Sequence, residues 1–176
     1  GIVSDVAKIA ETAHAFHVPL IVDEAHGAHF GMYEAFPQTA VRAGADVVIQ
    51  SMHKVLPSLT QTALLHLHSD LIQPESIERF LDIYETSSPS YVLMAGMEKC
   101  IRLLDQDKEK LFEEFYKKLE WFYKKAENLK HIHIMKKEDF SDAERYDLDP
   151  SKIVISVRHT TMSGSRLYEV LLNKYH

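Results

Sequence analysis

Two short apolar runs, each followed directly by polar residues, constrain the fold of this chain more than any other feature. Leu20-Ile21-Val22 leads into Asp23-Glu24-Ala25-His26, and Val47-Val48-Ile49 leads into Gln50-Ser51-Met52-His53-Lys54. Apolar runs of this length are typical of central parallel strands that are covered on both faces. Helical segments precede both runs, and this alternation with short links predicts an α/β layer with parallel strands.

The helical segments are indicated by apolar residues at helical spacing. Val3 to Phe16 predicts one amphipathic helix with Ser4 as its N-cap, and Ala40 to Ala43 predicts a short helix that ends at Gly44. The other expected elements are a third strand, a helix, a long helix and two later strands, at Thr62–His68, Pro74–Tyr84, Tyr91–Leu129, Ile132–Ile134 and Ile153–Val157.

The character of the chain changes after Leu129. Two short strands flank a polar loop from Lys136 to Pro150, and the start of a helix follows. We therefore expect residues 1–130 to belong to a large α/β domain and residues 131–176 to begin a smaller one. Because the sequence starts at Gly1 without an initiator Met and ends in an apolar-periodic segment, we expect a piece of a longer protein.

Charge and composition exclude several classes of function. The 20 Lys and Arg residues against 26 Asp and Glu residues give a formal charge of −6, whereas nucleic-acid binding requires a basic surface. The basic pairs Lys117-Lys118 and Lys124-Lys125 are interleaved with Glu, which predicts a solvated helix face. The single cysteine, Cys100, excludes an internal disulfide and a Cys-based metal site. No apolar run reaches the roughly 18 to 20 residues of a membrane helix.

Asp23 and Lys54 follow the two apolar runs. In open α/β sheets, ligands bind in the crevice outside the carboxyl ends of the strands. A carboxylate at the rim of an apolar strand loses solvation unless it meets a cation or strong donors. Lys54 is one such cation, so a structural ion pair and a ligand site are both open, and spacing does not decide between them.

Ser51, His53 and Lys54 leave the end of the second run together. A hydroxyl, an imidazole and an ammonium group suit a phosphate ligand. A partly desolvated lysine is also a candidate nucleophile for a Schiff base. An aldehyde, a phosphate and a carboxylate partner for a pyridine nitrogen together describe pyridoxal phosphate, so these residues favour that cofactor.

Three ordered motifs resemble those of the bacterial Orn/Lys/Arg decarboxylase family and span essentially the whole chain. They are Val22-Asp23-Glu24-Ala25-His26-Gly27-Ala28-His29-Phe30, Gln50-Ser51-Met52-His53-Lys54-Val55-Leu56-Pro57 with Thr60-Gln61-Thr62-Ala63, and Thr86-Ser87-Ser88-Pro89-Ser90-Tyr91. The resemblance implies a pyridoxal-phosphate enzyme of the aspartate-aminotransferase-type fold. That fold is a three-layer α/β/α large domain with a mostly parallel sheet, here followed by the start of a small α+β domain.

The resemblance implies catalytic roles for three residues. Lys54 would carry the cofactor as a Schiff base, and Asp23 would keep the pyridine nitrogen protonated. His53 would contact the phosphate and is also a candidate acid near the reacting carbon.

The resemblance also implies cofactor contacts for four other residues. Ala25 would lie against the ring, His26 near the ring hydroxyl, and Ser51 at the phosphate. Thr86 matches the family position that reaches the phosphate of the neighbouring subunit's cofactor. A homodimer or higher homo-oligomer with shared sites is therefore expected.

The implied reaction is decarboxylation of lysine, ornithine or arginine to its amine and carbon dioxide, in the cytoplasm and as part of polyamine biosynthesis. Residues 1–130 would then be the C-terminal part of the cofactor-binding domain, including the long connecting helix. The family's phosphate-binding turn and ring-stacking residue lie upstream of the position that matches Gly1. An isolated chain of this extent is therefore expected to be inactive.

Other classes of protein share parts of these motifs. Val22 to His26 fits the Walker B motif of a helicase-type ATPase, although the chain contains no G-x-x-x-x-G-K-[ST] loop. Ser51 to Lys54 formally matches the S-x-x-K of penicillin-recognising enzymes, but S-D-N and K-T-G are missing. Another fold-related pyridoxal-phosphate enzyme, such as an aminotransferase, stays open. A domain kept for assembly alone is disfavoured because Lys54, Asp23 and His53 are all present.

The histidines suggest metal ligands only weakly. Two pairs are three residues apart, namely His14 with His17 and His26 with His29. Neither pair has an evident third ligand, so we expect no metal site. His66 and His68 lie on one face of the third expected strand and are predicted to be exposed.

Overall fold

The structure is a computed structural model, and it describes residues 1–140 and 146–175. The strands are β1 Ile2–Ser4, β2 Ile21–Asp23, β3 Val47–Ser51, β4 Ala63–Leu67, β5 His133–Ile134, β6 Tyr146–Leu148 and β7 Ile155–Ser156. The α-helices are α1 Val6–Ala15, α2 Met52–Val55, α3 Pro74–Tyr84, α4 Tyr91–Ala126 and α5 Gly164–Tyr175, and a 3-10 helix covers Lys137–Asp139. The fold class is therefore mixed α/β.

The chain divides into two compact units. The central unit is Asp5–Phe112, and the terminal unit combines Gly1–Ser4 with Glu113–His176. The helix α4 contributes residues to both units, since the division falls after Phe112. The domain division after residue 130 stays a prediction.

The sheet of the central unit has the order β2-β3-β4. The strands β2 and β3 are parallel, with Asp23 in register with Ile49, whereas β3 and β4 are antiparallel, with Ile49 in register with Leu65. Both predicted apolar strands are confirmed, and the third expected strand is present as β4. Among the described residues, this sheet thus combines one parallel and one antiparallel pair.

Two apolar clusters pack in the central unit. Ala40, Ala45 and Val48 form one cluster with Val22 and with Val6 of α1. The other cluster joins the first half of α4 to the segment after β2 and to α2, through Ala28, Met52, Leu56, Cys100 and Leu104. The clusters bury one side of α1 and one side of the first half of α4, as amphipathic spacing predicts.

Part of the sheet is not covered by the described residues. Ile21, Ile49 and Leu65 are 59%, 38% and 39% exposed, and Ile49 and Leu65 are directly paired. The first apolar run was expected to be covered on both faces, but within this chain Ile21 is not. An apolar face of this kind is normally buried against another layer of secondary structure.

Two predicted helices are wrong in part. The segment Ile2–Ser4 is a strand that pairs with β6, so α1 begins at Val6 with Asp5 as N-cap, whose side chain accepts a bond of 3.1 Å from the Lys8 amide. Ser4 is therefore not the cap, because a distant partner strand holds it extended. The segment from Ala40 is a hydrogen-bonded turn and not a helix, and it ends as predicted at Gly44, whose φ is +93°.

The terminal unit contains two small antiparallel sheets, β1 with β6 and β5 with β7. The strand β6 lies in the segment predicted to be a polar loop, and residues 141–145 of that loop lie outside the described residues. The last turns of α4 are solvated as predicted, with Lys117 paired to Glu113 at 2.6 Å. None of the helices in the described part of the chain combines the length and the hydrophobicity that a membrane span needs.

Candidate functional site

The carboxyl ends of β2 and β3 bring the ring-side and phosphate-side candidates together. Asp23 is the last residue of β2, and its Oδ1 accepts a bond of 3.0 Å from the Ala25 amide. The parallel ladder continues past the strand, because the Glu24 amide donates to the Ile49 carbonyl and the Ser51 amide donates to the Ala25 carbonyl. The Asp23–Ala25 segment therefore lies beside the end of β3, as the strand order requires.

The Ser51–Lys54 segment passes from strand to helix without a loop. Ser51 ends β3 and is the N-cap of α2, yet its hydroxyl makes no capping bond. Lys54 is exposed in α2, and among the described residues it has no carboxylate oxygen within ion-pair distance. The structural Asp23–Lys54 ion pair is therefore absent here, and both charged groups stay available to a ligand.

His53 is held by the backbone of the segment before β4. Its Nδ1 donates a bond of 2.8 Å to the Thr62 carbonyl, which also accepts from the Met52 amide at 3.1 Å. Thr62 is itself buried, and its hydroxyl bonds to the Leu59 carbonyl. Because Nδ1 carries the donated proton, Nε2 is the ring atom left to bind or transfer a proton.

The other two predicted cofactor contacts, His26 and Thr86, lie in two different loops of the chain. His26 is exposed in the turn that the Gly27 amide closes on the Glu24 carbonyl at 2.8 Å, beside the Asp23–Ala25 segment. Thr86 lies in the loop after α3, where its hydroxyl accepts a bond from the Ser88 amide. The structure therefore places Asp23, Ala25 and His26 beside the Ser51–Lys54 segment. The expected role of Thr86 toward a neighbouring subunit stays a prediction.

A buried polar network that sequence reasoning missed connects the two strand ends. Glu24 Oε1 accepts a bond of 2.8 Å from the Ala40 amide, and Oε2 accepts bonds from Thr39 Oγ1 at 3.1 Å and Gln50 Nε2 at 2.5 Å. Gln50 Oε1 in turn accepts a bond of 3.0 Å from His66 Nε2. The prediction that His66 is exposed is therefore wrong, since Gln50 holds it in a half-buried position. The sequence did contain one indication of this network, because the alternation of side chains along the strands places Glu24 and Gln50 on one face of the sheet.

The histidine pairs do not form a metal site. His14 bonds to Asp46 at 2.7 Å, and His29 is buried with its ring against Phe30 and Phe36. Within the described ranges, no group of three His, Cys, Asp or Glu residues could hold a metal ion. The expectation that the chain has no metal site stays a prediction.

The model of the Orn/Lys/Arg decarboxylase major domain matches residues 1–164 of the chain. The chain belongs to this family. The Val22–His26 motif is therefore part of a decarboxylase domain, which removes the basis of the helicase-type interpretation.

Two arginine decarboxylases are similar to nearly all of the chain, and a third relative is similar to about half of it. An arginine decarboxylase of Bacillus subtilis is 32% identical over 164 residues, 93% of this chain and 34% of that protein. An arginine decarboxylase of Bacillus anthracis is 29% identical over 175 residues, 99% of this chain and 36% of that protein. An uncharacterized Bacillus subtilis protein is 44% identical over 96 residues, 54% of this chain and 20% of that protein. The chain thus spans about a third of the length of the curated relatives it matches.

The donor set of this decarboxylase-family site fits pyridoxal phosphate. An exposed carboxylate at Asp23, a hydroxyl at Ser51, an imidazole at His53 and an exposed amine at Lys54 meet at one sheet edge. Apart from Asp23 Oδ1 and His53 Nδ1, the polar atoms of these side chains have no hydrogen-bond partner among the described residues. The site therefore offers a charge partner for a ring nitrogen, donors for a phosphate and an amine for an aldehyde.

Proposed function

We propose that the full-length protein is a pyridoxal-phosphate-dependent decarboxylase of a basic amino acid. The observation that carries this proposal is the grouping of Asp23, Ser51, His53 and Lys54, with unfilled bonding capacity, at one edge of a sheet in a decarboxylase-family chain. Carboxyl ends of strands are where open α/β sheets bind ligands.

Each side chain has a task that its chemistry and position support. The Lys54 amine binds the cofactor aldehyde, and the Asp23 carboxylate holds a proton on the pyridine nitrogen. Ser51 donates to the phosphate. His53, oriented by its bond to the Thr62 carbonyl, donates to the phosphate or moves a proton at Nε2. Ala25 and His26, in the segment after β2, would contact the cofactor ring.

The reaction replaces the α-carboxylate of the substrate by a proton and releases carbon dioxide. The carbon–carbon bond to the carboxylate breaks, its electron pair stays on the α-carbon, and a proton then fills that position. When bound, pyridoxal phosphate supplies the electron sink that makes this bond cleavage possible. Asp23 strengthens the sink, because a carboxylate beside the ring nitrogen favours the protonated, electron-poor ring.

Arginine is the first substrate to test, and lysine and ornithine are the others. Two of the relatives described above are named arginine decarboxylases. We also propose a place for the reaction in polyamine biosynthesis and for the enzyme in the cytoplasm.

Further parts of the proposal concern assembly. We propose a homodimer or higher homo-oligomer in which Thr86 contacts the neighbouring subunit's cofactor.

We also propose the three-layer α/β/α large domain, with segments outside this chain covering Ile21, Ile49 and Leu65. The exposure of these three side chains supports this part of the proposal. A fragment of this extent, which spans about a third of its relatives, is then inactive alone.

The test of the cofactor uses the full-length protein. The protein is incubated with pyridoxal phosphate, reduced with borohydride and digested, and the labelled peptide is mapped by mass spectrometry. We expect the label on Lys54 and its loss in Lys54→Ala. Lys99→Ala, which removes an exposed lysine of α4, is the matched control and keeps the label. A label elsewhere, or none, contradicts the proposal.

The reaction is tested by separating products. With arginine, lysine or ornithine, we expect one amine and carbon dioxide in equal amounts. Formation of a keto acid without carbon dioxide would instead favour the aminotransferase alternative.

A further inference from the structure

Behind the candidate site lies a buried polar pair that the proposed chemistry does not use. Glu24 follows Asp23, and Gln50 precedes Ser51, so each member is one residue from a group that faces the cofactor. Side chains alternate between the two faces of a sheet. Both side chains are buried, with 8% of Glu24 and 7% of Gln50 exposed.

A hydrogen bond between the side chains of Glu24 and Gln50 links the two strand ends. Gln50 Nε2 and Glu24 Oε2 are 2.5 Å apart, and the backbone bonds beside them, from the Glu24 amide to the Ile49 carbonyl and from the Ser51 amide to the Ala25 carbonyl, are 2.9 Å and 3.3 Å long. A charge-assisted bond to a carboxylate is stronger than a bond between neutral groups. The side chains therefore add a further link to the backbone ladder at these ends.

Neighbouring segments fix the orientation of both members. The Ala40 amide and the Thr39 hydroxyl hold the carboxylate of Glu24, and His66 holds the amide oxygen of Gln50. A buried carboxylate is costly without such donors. Shifting β3 relative to β2 would break several bonds at once, so the network resists displacement of the strand ends.

We propose that Glu24 and Gln50 are positioning residues that set the spacing between the Asp23–Ala25 segment and the Ser51–Lys54 segment. This inference rests on the proposed function, since it concerns the same cofactor site. Neither residue is assigned a contact with cofactor or substrate. Their effect is on cofactor affinity and on the environment of the bound ring.

Exchanging the carboxylate and the amide between positions 24 and 50 tests the proposal. Gln50→Glu brings two carboxylates face to face and removes the donor that links the strands. The double variant Glu24→Gln/Gln50→Glu restores a bond of opposite polarity. In that variant the Ala40 amide still meets an amide oxygen, the Thr39 hydroxyl rotates to accept, and His66 still donates to the carboxylate introduced at position 50.

The measurements on the full-length protein are the dissociation constant of pyridoxal phosphate, the absorption spectrum of the bound cofactor and the unfolding midpoint. For Gln50→Glu we expect the absorption maximum to shift and the dissociation constant to rise about tenfold, which corresponds to about 1.4 kcal/mol of lost binding free energy. The double variant should restore the spectrum and return the dissociation constant to within about threefold of the wild type.

Ser69→Ala is the matched control for stability. It removes a hydrogen bond of 2.5 Å to the buried carboxylate of Asp46, which precedes β3 at the end away from Ser51. We expect a lower unfolding midpoint with an unchanged cofactor affinity and spectrum.

Two results would overturn the inference. One is a folded Gln50→Glu variant with a lower midpoint but wild-type cofactor affinity and spectrum; the other is a folded double variant without rescue. If Gln50→Glu does not fold, Gln50→Ala removes the donor without adding charge, and unchanged affinity in that variant is equally contradictory. Failure of the wild type to label Lys54 overturns the proposed function itself and so is distinguished from both.

Discussion

The Nε2 atom of His14 lies 2.7 Å from Oδ2 of Asp46, immediately before β3. The same oxygen accepts a bond of 2.7 Å from the Leu20 amide, and Oδ1 accepts one of 2.5 Å from the Ser69 hydroxyl. Burial opposes ionisation of this carboxyl, but the bonds from Ser69, Leu20 and His14 outweigh it and lower the pKa of Asp46 below its ordinary 3.8. Asp46 therefore joins α1, β2 and the end of β4 through one ionised group.

Replacing Asp46 should make the free energy of unfolding depend less on pH in the acidic range. A carboxyl with a lowered folded-state pKa stabilises the protein fully above its unfolded pKa, and this contribution is lost as the pH falls through the folded value. We expect Asp46→Asn to lower the free energy of unfolding by about 1–3 kcal/mol at pH 7, from the weakened bonds to three donors. The difference from wild type should shrink below pH 3.8, as measured by urea unfolding at pH 7 and at low pH.

The control for this measurement is Asp70→Asn, which neutralises an exposed carboxylate beside Ser69 and should change little at either pH. A difference between Asp46→Asn and wild type that stays constant with pH would contradict the assignment.

The local pattern of apolar and polar residues predicted most elements of the central unit. The apolar runs at Leu20–Val22 and Val47–Ile49 predicted β2 and β3 because each run is short and ends in polar residues, and the spacing from Pro74 to Tyr84 predicted α3 to the residue. The strand β1 could not be predicted in this way. Its extended conformation depends on pairing with Leu148 and its neighbours, which lie far along the sequence, while its local apolar spacing continues that of α1.

Candidate site residues could be proposed from the local pattern in the same way, and their roles stay a prediction. Asp23, Ser51, His53 and Lys54 stood out because they follow apolar strands at the ends where open α/β sheets bind ligands, and because their chemistry suits a ligand. Glu24 and Gln50 did not, since their value depends on donors from Thr39, Ala40 and His66 that only the folded chain brings to them. The exposure of the apolar Ile21 could not be predicted either, because a sequence pattern does not show which layer covers a face of the sheet.

Cys100 should be inert in the folded protein. Its side chain is 2% exposed among Met52, Leu56 and Leu104, and burial raises the pKa of the thiol. A neutral, inaccessible thiol is a poor nucleophile. We expect iodoacetamide at pH 8 to leave the Cys100 peptide unmodified in the native protein and to modify it fully in urea, as measured by mass spectrometry.

Lys99→Cys supplies the control, because it introduces a thiol at the neighbouring, exposed position of the same helix. That thiol should react rapidly in the native protein. Equal rates at positions 99 and 100 would show that the packing around Cys100 is wrong.

The Thr62 side chain should contribute to the stability of the fold. Its side chain is 2% exposed, and its hydroxyl donates to the Leu59 carbonyl at 2.7 Å while the Ser58 hydroxyl lies at 2.8 Å. Thr62→Val keeps the shape but leaves these partners unsatisfied, so we expect a loss of about 1–3 kcal/mol in the free energy of unfolding. Thr60→Val, at an exposed position two residues earlier, should be nearly neutral; equal losses in the two variants would contradict the hydrogen-bond argument.

Gly27 should tolerate no side chain, because the turn after β2 packs closely around it. A Cβ at this position would lie 2.6 Å from Cγ of Glu24 and 2.7 Å from the ring of Phe30. Since Glu24 is held by several hydrogen bonds and Phe30 packs on the buried His29 ring, neither side chain can move without loss. We expect Gly27→Ala to lower the free energy of unfolding by about 1–3 kcal/mol, the usual cost of overpacking.

The same substitution should also weaken pyridoxal phosphate binding in the full-length protein, because the shift is transmitted to Glu24 and so to the strand ends at Asp23 and Ser51. The matched control is Gly164→Ala, where an added Cβ meets nothing within 4 Å at the start of α5. That variant should be neutral or slightly stabilising, since alanine has the higher helix propensity. Similar unfolding midpoints for the two variants in thermal melts would refute close packing at Gly27.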